Sequence, residues 1–277
     1  MRRLSFAAVL VLAAGLARAE MPGDVPDKVR LSFGGMFADA YTDAGLGSTT
    51  AGIGASINFE DTFGLDENKS VFRFEANWHV TKRQFLDFGY LRLNRSGSRI
   101  ISQDVEWGDF IYEAGANVRA GFQSQFPYAA WRWAFLDLPQ VRISGSAGID
   151  YLTIKADLTA NGNVTDQNGT PVTGEVKADV SVSAPVPQFG LQLDWALTKR
   201  MAMLLYVRQI YISDIAGIDG GIGESSVRFR WWYAKHAGVS AGLDKESIDL
   251  KSYESGNKKA RFRYEVRGFS LYFDFAF

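Results

Sequence analysis

The chain has 277 residues and near-balanced charge, with 30 Lys and Arg against 31 Asp and Glu, and it has no cysteine. The balance leaves no basic platform for nucleic acid. The missing cysteines exclude disulfides, thiol nucleophiles and thiolate metal sites.

The first stretch reads as a targeting segment. Arg2 and Arg3 precede an apolar run, Phe6 to Leu16, and Ala17-Arg18-Ala19 supplies small residues for cleavage. Residues 1–19 are therefore expected to be a signal peptide and 20–28 an N-terminal periplasmic segment. The run is too short for a membrane-anchor helix, which needs about 20 apolar residues. Without residues 1–19 the chain keeps 27 basic and 31 acidic residues, a net charge of −4. No later apolar run is long enough for a helical span. Aromatic content is 14% with 28 glycines, a composition that fits a barrel wall with aromatic girdles.

Residues 29–43 alternate loosely, Gly45 and Gly47 interrupt them, and 50–59 resume. Glu60 to Ser70 reads as an acidic loop. Phe72, Phe74, Ala76, Trp78 and Val80 then oppose Arg73, Glu75, Asn77 and His79, a strand with one apolar face. From Phe85 the apolar face changes parity between Phe88 and Leu91. That marks either a bulge or a strand that leaves the bilayer and changes environment. A polar loop, 103–117, precedes a strand in which Trp131, Trp133 and Phe135 oppose Tyr128, Arg132 and Ala134.

Residues 141–158 set Ile143, Ala147 and Ile149 against Arg142, Ser144 and Asp150. The stretch 159–177 reads as the longest exposed loop. Phe189, Leu191, Leu193 and Trp195 then oppose Gln192 and Asp194. Residues 201–213 carry an inward Arg208, and 225–233 set Val227, Phe229 and Trp231 against Arg228 and Arg230. In the last stretch Phe269, Leu271, Phe273, Phe275 and Phe277 share one face, with Asp274 on the other.

Short connections at 81–84, 137–140, 198–200 and 233–236 alternate with long ones near 60–70, 106–117, 159–177, 214–223 and 252–260. A soluble sandwich gives no reason for such alternation, whereas bacterial barrels have short periplasmic turns and long external loops. The expectation is an all-β fold: one closed antiparallel transmembrane β-barrel over 29–277. Ten strands, the preferred count, result if 29–59 holds one long or broken strand; twelve are the alternative if it hides another.

The pieces FEDTFGLDENKS, FEANWHV and TKRQFLDFGY carry a resemblance. The chain resembles small bacterial outer-membrane β-barrel proteins of the OmpA/OmpW/OmpX-like type. It resembles in particular a poorly characterised subgroup with an acidic loop, a WRF-like strand and an RHRL-like turn. This chain departs from that pattern at Trp78-His79-Val80 and Lys82-Arg83-Gln84. The resemblance implies an integral outer-membrane protein whose partners are the bilayer and lipopolysaccharide. It also implies that the closing strand, ending on Phe277, is read by the barrel-assembly machinery. A monomer is expected, with no nucleic-acid partner.

The expected lumen carries Arg73, Glu75, His79, Arg132, Arg142, Asp150, Asp194, Arg208, Arg228, Arg230 and Asp274. Charges of both signs there either pair and replace an apolar core or line a narrow passage. Arginines outnumber acids in this set, a weak preference for anionic solutes. A structural or narrow-passage role is the first reading. Surface binding or envelope stabilisation is the second. The third, a lipid-modifying enzyme, lacks a catalytic motif: only His79 and His236 are present, and no GxSxG or HExxH occurs. No catalytic residue, cofactor or metal site is expected; Asp61, Asp66 and Glu67 match no cation-binding loop.

Overall fold

A computed structural model describes residues 28–48, 55–66, 68–107, 109–215, 218–254 and 258–277. The expected signal peptide lies outside the described residues. Ten long strands form the wall: β1 (Val29–Ser48), β3 (Asn68–His79), β4 (Gln84–Ile100), β7 (Asn117–Asp137), β8 (Val141–Asn161), β10 (Glu175–Thr198), β11 (Met201–Ile215), β12 (Ile218–Trp232), β13 (Ala237–Glu254) and β14 (Lys258–Ala276). Each pairs antiparallel with its neighbours in chain order, and β14 returns to β1 from Arg30↔Ala276 to Ser48↔Lys258. The sheet is thereby closed, with ten strands and not twelve. In the stretch 29–59 the short β2 (Ala55–Asn58) folds back on the upper end of β1, Asp43↔Asn58 to Leu46↔Ala55, and adds no span.

Side chains follow the period of two. Along β3, Phe72 and Trp78 are exposed on the outer wall, whereas Val71 and Arg73 are buried inside. Along β14, Phe269, Leu271, Phe273, Phe275 and Phe277 are exposed and Tyr272 and Asp274 are buried. A closed barrel with such an exterior is the fold of an outer-membrane protein, and the chain belongs in that membrane.

The strands are longer than the bilayer needs. The 17 residues of β4 at ~3.4 Å each, tilted by ~40°, rise about 45 Å, against an apolar band of ~25 Å. The excess stands on the side of the longer connections. There the polarity reverses. Leu91 and Leu93 of β4 point inward and are buried, while Arg92 and Asn94 point outward and are exposed. The register of β4 against β3 and β7 runs through this point without a shift. The parity change at Gly89 is therefore a change of environment and not a bulge. Strand β14 does the same, with Tyr264 and Val266 buried and Arg261 and Arg267 exposed.

The connections on this side are partly strand. The expected loops at 214–223 and 252–260 are largely taken up by β11, β12, β13 and β14. The stretch 103–117 contributes β5 (Val105–Trp107) and β6 (Phe110–Tyr112), and β6 pairs with β9 (Val164–Asp166) from the β8–β10 connection. These three strands fold over the upper opening. Tyr112 is fully buried and its hydroxyl donates to the Leu158 carbonyl at 3.3 Å.

Candidate functional site: the barrel interior

The lower interior is a network of ion pairs. Arg73 pairs with Glu75 at 2.8 Å and with Glu224. Arg208 joins the same Glu224, Asp150 at 2.9 Å and Gln188, and its guanidinium stands 4.5 Å over the Tyr128 ring. Arg228 bonds Glu75 at 2.8 Å and Asp244 at 3.3 Å and stacks 4.3 Å from Tyr272, whose hydroxyl donates to Asp244 at 2.9 Å. Nearer the periplasmic end, Arg132 holds Asp87 at 2.6 Å and Asp194 at 3.7 Å. Asp274 accepts from Ser32 at 2.6 Å and from Ser240, with Arg230 at 3.2 Å. Each carboxylate here faces at least one guanidinium or hydroxyl, as burial of charge requires.

Ten of the residues singled out from sequence stand inside the wall or at its lower rim within this network. Arg142 is at the rim, buried, donating to Asp137 at 2.9 Å. His79 is half-buried at the periplasmic end, its ring edge-on to Phe85 with centroids 4.5 Å apart, and its backbone N–H donates to Lys28. His236 sits in the last turn with Nδ1 donating to the Ala276 carbonyl at 2.8 Å. The two histidines are thus at wall ends and share no common site.

Sequence reasoning missed several members. Asp87, Glu224, Asp244 and Glu246 are buried inside too. With them the acids rise from four to eight against six arginines, and the excess of Arg behind the anion preference disappears. Asp87 and Asp244 were visible by parity within their strands. Glu224 was hidden because β12 starts at Ile218 and not at 225. A polar cavity of about 60 Å³, bordered by Arg30, Arg73, Glu75 and Arg228, remains in this layer.

Above the network the interior is apolar. Residues 60–63, expected to open an acidic loop, join Phe59 in α1 (Phe59–Phe63), which lies inside the barrel. Asn58 caps it by accepting from the Asp61 N–H at 2.6 Å, and Gly64 ends it at φ 66°, a conformation glycine adopts freely. Phe59 and Phe63 are buried, edge-on to each other at 5.3 Å, and Phe59 meets Trp107 of the cap at 5.6 Å. Phe122 and Tyr264 stack at 5.5 Å beneath. Glu60 is drawn in as well. It pairs with buried Arg95, which also bonds Thr42 Oγ1 at 2.7 Å and the Asp66 carbonyl at 2.8 Å. Among the described residues no group of three or more His, Asp or Glu is placed to hold a metal ion.

No protein-family model matches the chain, and no curated protein matches it. Solved structures do. The chain is similar to the outer membrane protease OmpT from Escherichia coli, with a TM-score of 0.58 at 12% identity over 91% of this chain and 98% of that one. Weaker likenesses are to Ail, the attachment invasion locus protein of Yersinia pestis (TM-score 0.29, 9% identity, 87% and 97% covered), and to the Pseudomonas putida toluene transporter TodX (0.39, 8%, 92% and 91%). The expected OmpA/OmpW/OmpX-like subgroup is not singled out. What the likeness to OmpT establishes is the fold alone: this chain folds as bacterial outer-membrane β-barrels do.

Proposed function

We propose that the chain is a closed, structural outer-membrane barrel whose folded upper end meets the cell exterior, and that it conducts no solute and catalyses no reaction in this state. One observation carries this reading: two different fillings lie in series in the lumen, a paired charge network below and an apolar core with α1 above. A conduit needs a continuous polar path. A cavity of about 60 Å³ leaves room for a few waters and not for a passing solute. With acids at least as numerous as arginines, the interior retains no preference for anions. The purified protein in planar bilayers is expected to show no conductance steps; reproducible steps in the folded protein would overturn the reading.

A second reading, surface binding, is favoured by the cap. Two external connections pair into the β5–β6–β9 sheet and present a fixed surface. Cleavage within residues 167–174, tested for loss of attachment to host or neighbouring cells, separates it from the first. The closing strand fits the same picture. Phe277 is exposed, and its N–H donates to Val29 at 2.9 Å. The proposal includes its recognition by the barrel-assembly machinery, and insertion in the bilayer as a monomer among lipopolysaccharide.

A further inference from the structure

The two fillings meet along one rung of the wall. It runs Arg208–Glu224–Glu246–Val266–Ala40 across β11, β12, β13, β14 and β1. All five side chains are buried in the interior. The rung is charged at one end and apolar at the other, and Glu224 and Glu246 stand side by side where it changes.

Two carboxylates opposite each other on one face of neighbouring strands have Cβ atoms ~5 Å apart and repel. Their surroundings differ. Both Glu224 oxygens are taken, Oε1 by Arg73 and Oε2 by Arg208. Glu246 Oε2 is buried, and no hydrogen-bond partner reaches it among the described residues. Along β13 the inward neighbours of Glu246 are Asp244 below, held by Arg228 and Tyr272, and fully buried Ile248 above. Glu246 is thus the uppermost acid of the ion-pair layer on this strand, with Val266 beside it.

The other groups that face Glu246 do not offset its charge. Asp150 of β8 carries the same sign. Arg208 is shared by Asp150 and Glu224, and Arg73 by Glu75 and Glu224. Tyr264 of β14 has its hydroxyl bonded with Ser124 at 3.0 Å. A cavity of about 10 Å³ lies between Asp150, Arg208, Glu224 and Glu246 below and Ile210 and Ile222 above. That is room for about one water. A buried carboxylate in such a place is costly, and taking up a proton removes the cost.

We propose that the Glu224–Glu246 pair holds one proton at neutral pH, seated on Glu246, and that this proton is a pH-sensitive joint between the ion-pair layer and the apolar layer. As a neutral acid Glu246 adds no second charge beside Glu224, and its hydroxyl can donate to a water in the cavity. When pH rises the proton passes to solvent. Two carboxylates then compete for Arg73 and Arg208, and ionised Glu246 draws water into the boundary with Ile210, Ile222 and Ile248. The inference rests on the two fillings in series and not on closure of the lumen to solutes.

Two measurements on the full-length protein test it. The first is the infrared C=O stretch of protonated carboxyl groups at neutral pH. The wild type is expected to show this band and Glu246→Gln to lose it, with folding checked by retarded mobility of the unheated barrel in gels. The second is urea unfolding as a function of pH. An acid that keeps its proton in the folded state but not in the unfolded chain stabilises fully below the ordinary carboxylate range, and that stabilisation is lost as pH rises through the folded titration. Between about pH 5 and about pH 7 the wild-type equilibrium is therefore expected to shift toward the unfolded state by about tenfold per pH unit relative to Glu246→Gln. At alkaline pH the variant is expected to be the more stable. An equal band in wild type and folded Glu246→Gln, or parallel pH profiles, would overturn the joint. Neither readout depends on conductance, so its failure is separate from failure of the closed-barrel reading.

Discussion

Arg95 shows how one residue holds the upper interior together. Its guanidinium ties Glu60 of α1, Thr42 of β1 and the carbonyl of Asp66 to β4. Arg95→Ala leaves the Glu60 carboxylate buried without its cation, and is expected to cost roughly 3–5 kcal/mol. Equilibrium unfolding of the refolded barrel in urea checks the value. The double variant Arg95→Met, Glu60→Met is expected to recover most of the loss, because removing both partners removes the unpaired charge. Gly97 is the other residue on which α1 depends. A Cβ there would run into the Gly64 carbonyl and the Leu65 nitrogen, backbone atoms that cannot swing aside. Gly97→Val should lift the segment after α1 off β4, read as increased protease access to residues 59–66.

At the scale of elements, the strands carry two polarity codes in series. The lower code, apolar out and charged in, was legible in Phe72–Val80, Trp131–Phe135 and Phe269–Phe277 because both lipid and ion pairs enforce strict alternation. The upper code inverts it, and in sequence the inversion looks like noise or a bulge. Leu91 and Leu93 are the example: one sequence cannot say whether an apolar face at that height meets lipid or core. Helix α1 was illegible for a related reason. Glu60, Asp61 and Asp66 suggest a solvated loop, and only the distant Arg95 and the Thr42 N–H make Glu60 a buried residue.

The tip of the β8–β10 connection carries a pH prediction. The Asp166 carboxylate accepts from the backbone N–H groups of Thr170 at 2.8 Å and Asn168 at 2.9 Å. These bonds, the one from Thr170 first, hold its pKa below the ordinary carboxylate value. A depressed pKa in the folded turn means that the stabilisation is complete above the unfolded value and is lost as pH falls through the folded one. Amide exchange at Thr170 and Asn168, corrected for its intrinsic pH dependence, should therefore lose protection only below the usual Asp range. Asp166→Asn should lose most of the protection at neutral pH.

At the scale of the whole molecule, the proposed closure rests on two chemically different layers in series. Arg73→Ala with Glu224→Ala removes the centre of the ion-pair layer but leaves the apolar layer closed, so planar-bilayer recordings should remain silent. Phe59→Ala with Phe63→Ala opens the upper layer alone, at a cost near 3–5 kcal/mol per buried ring, and should also remain silent. The four substitutions combined are expected to give conductance steps. Steps from either pair alone would show that the lumen has a single barrier.

Chain-local patterning settled the environment of this protein. A period of two with lipid-compatible faces, short turns alternating with long excursions, and a closing aromatic strand are local properties. Each strand must satisfy lipid and lumen at every second residue, so the pattern is written along the chain itself. Three things depended on tertiary structure: the count of ten, the full complement of acids facing the arginines, and the second, apolar filling. Each rests on which distant segments meet: β2 folding back on β1, Glu224 reaching Arg73 across the barrel, and α1 lying under the cap. Such meetings are set by closure of the sheet, and closure brings together residues more than 150 positions apart, as in Arg73–Glu224.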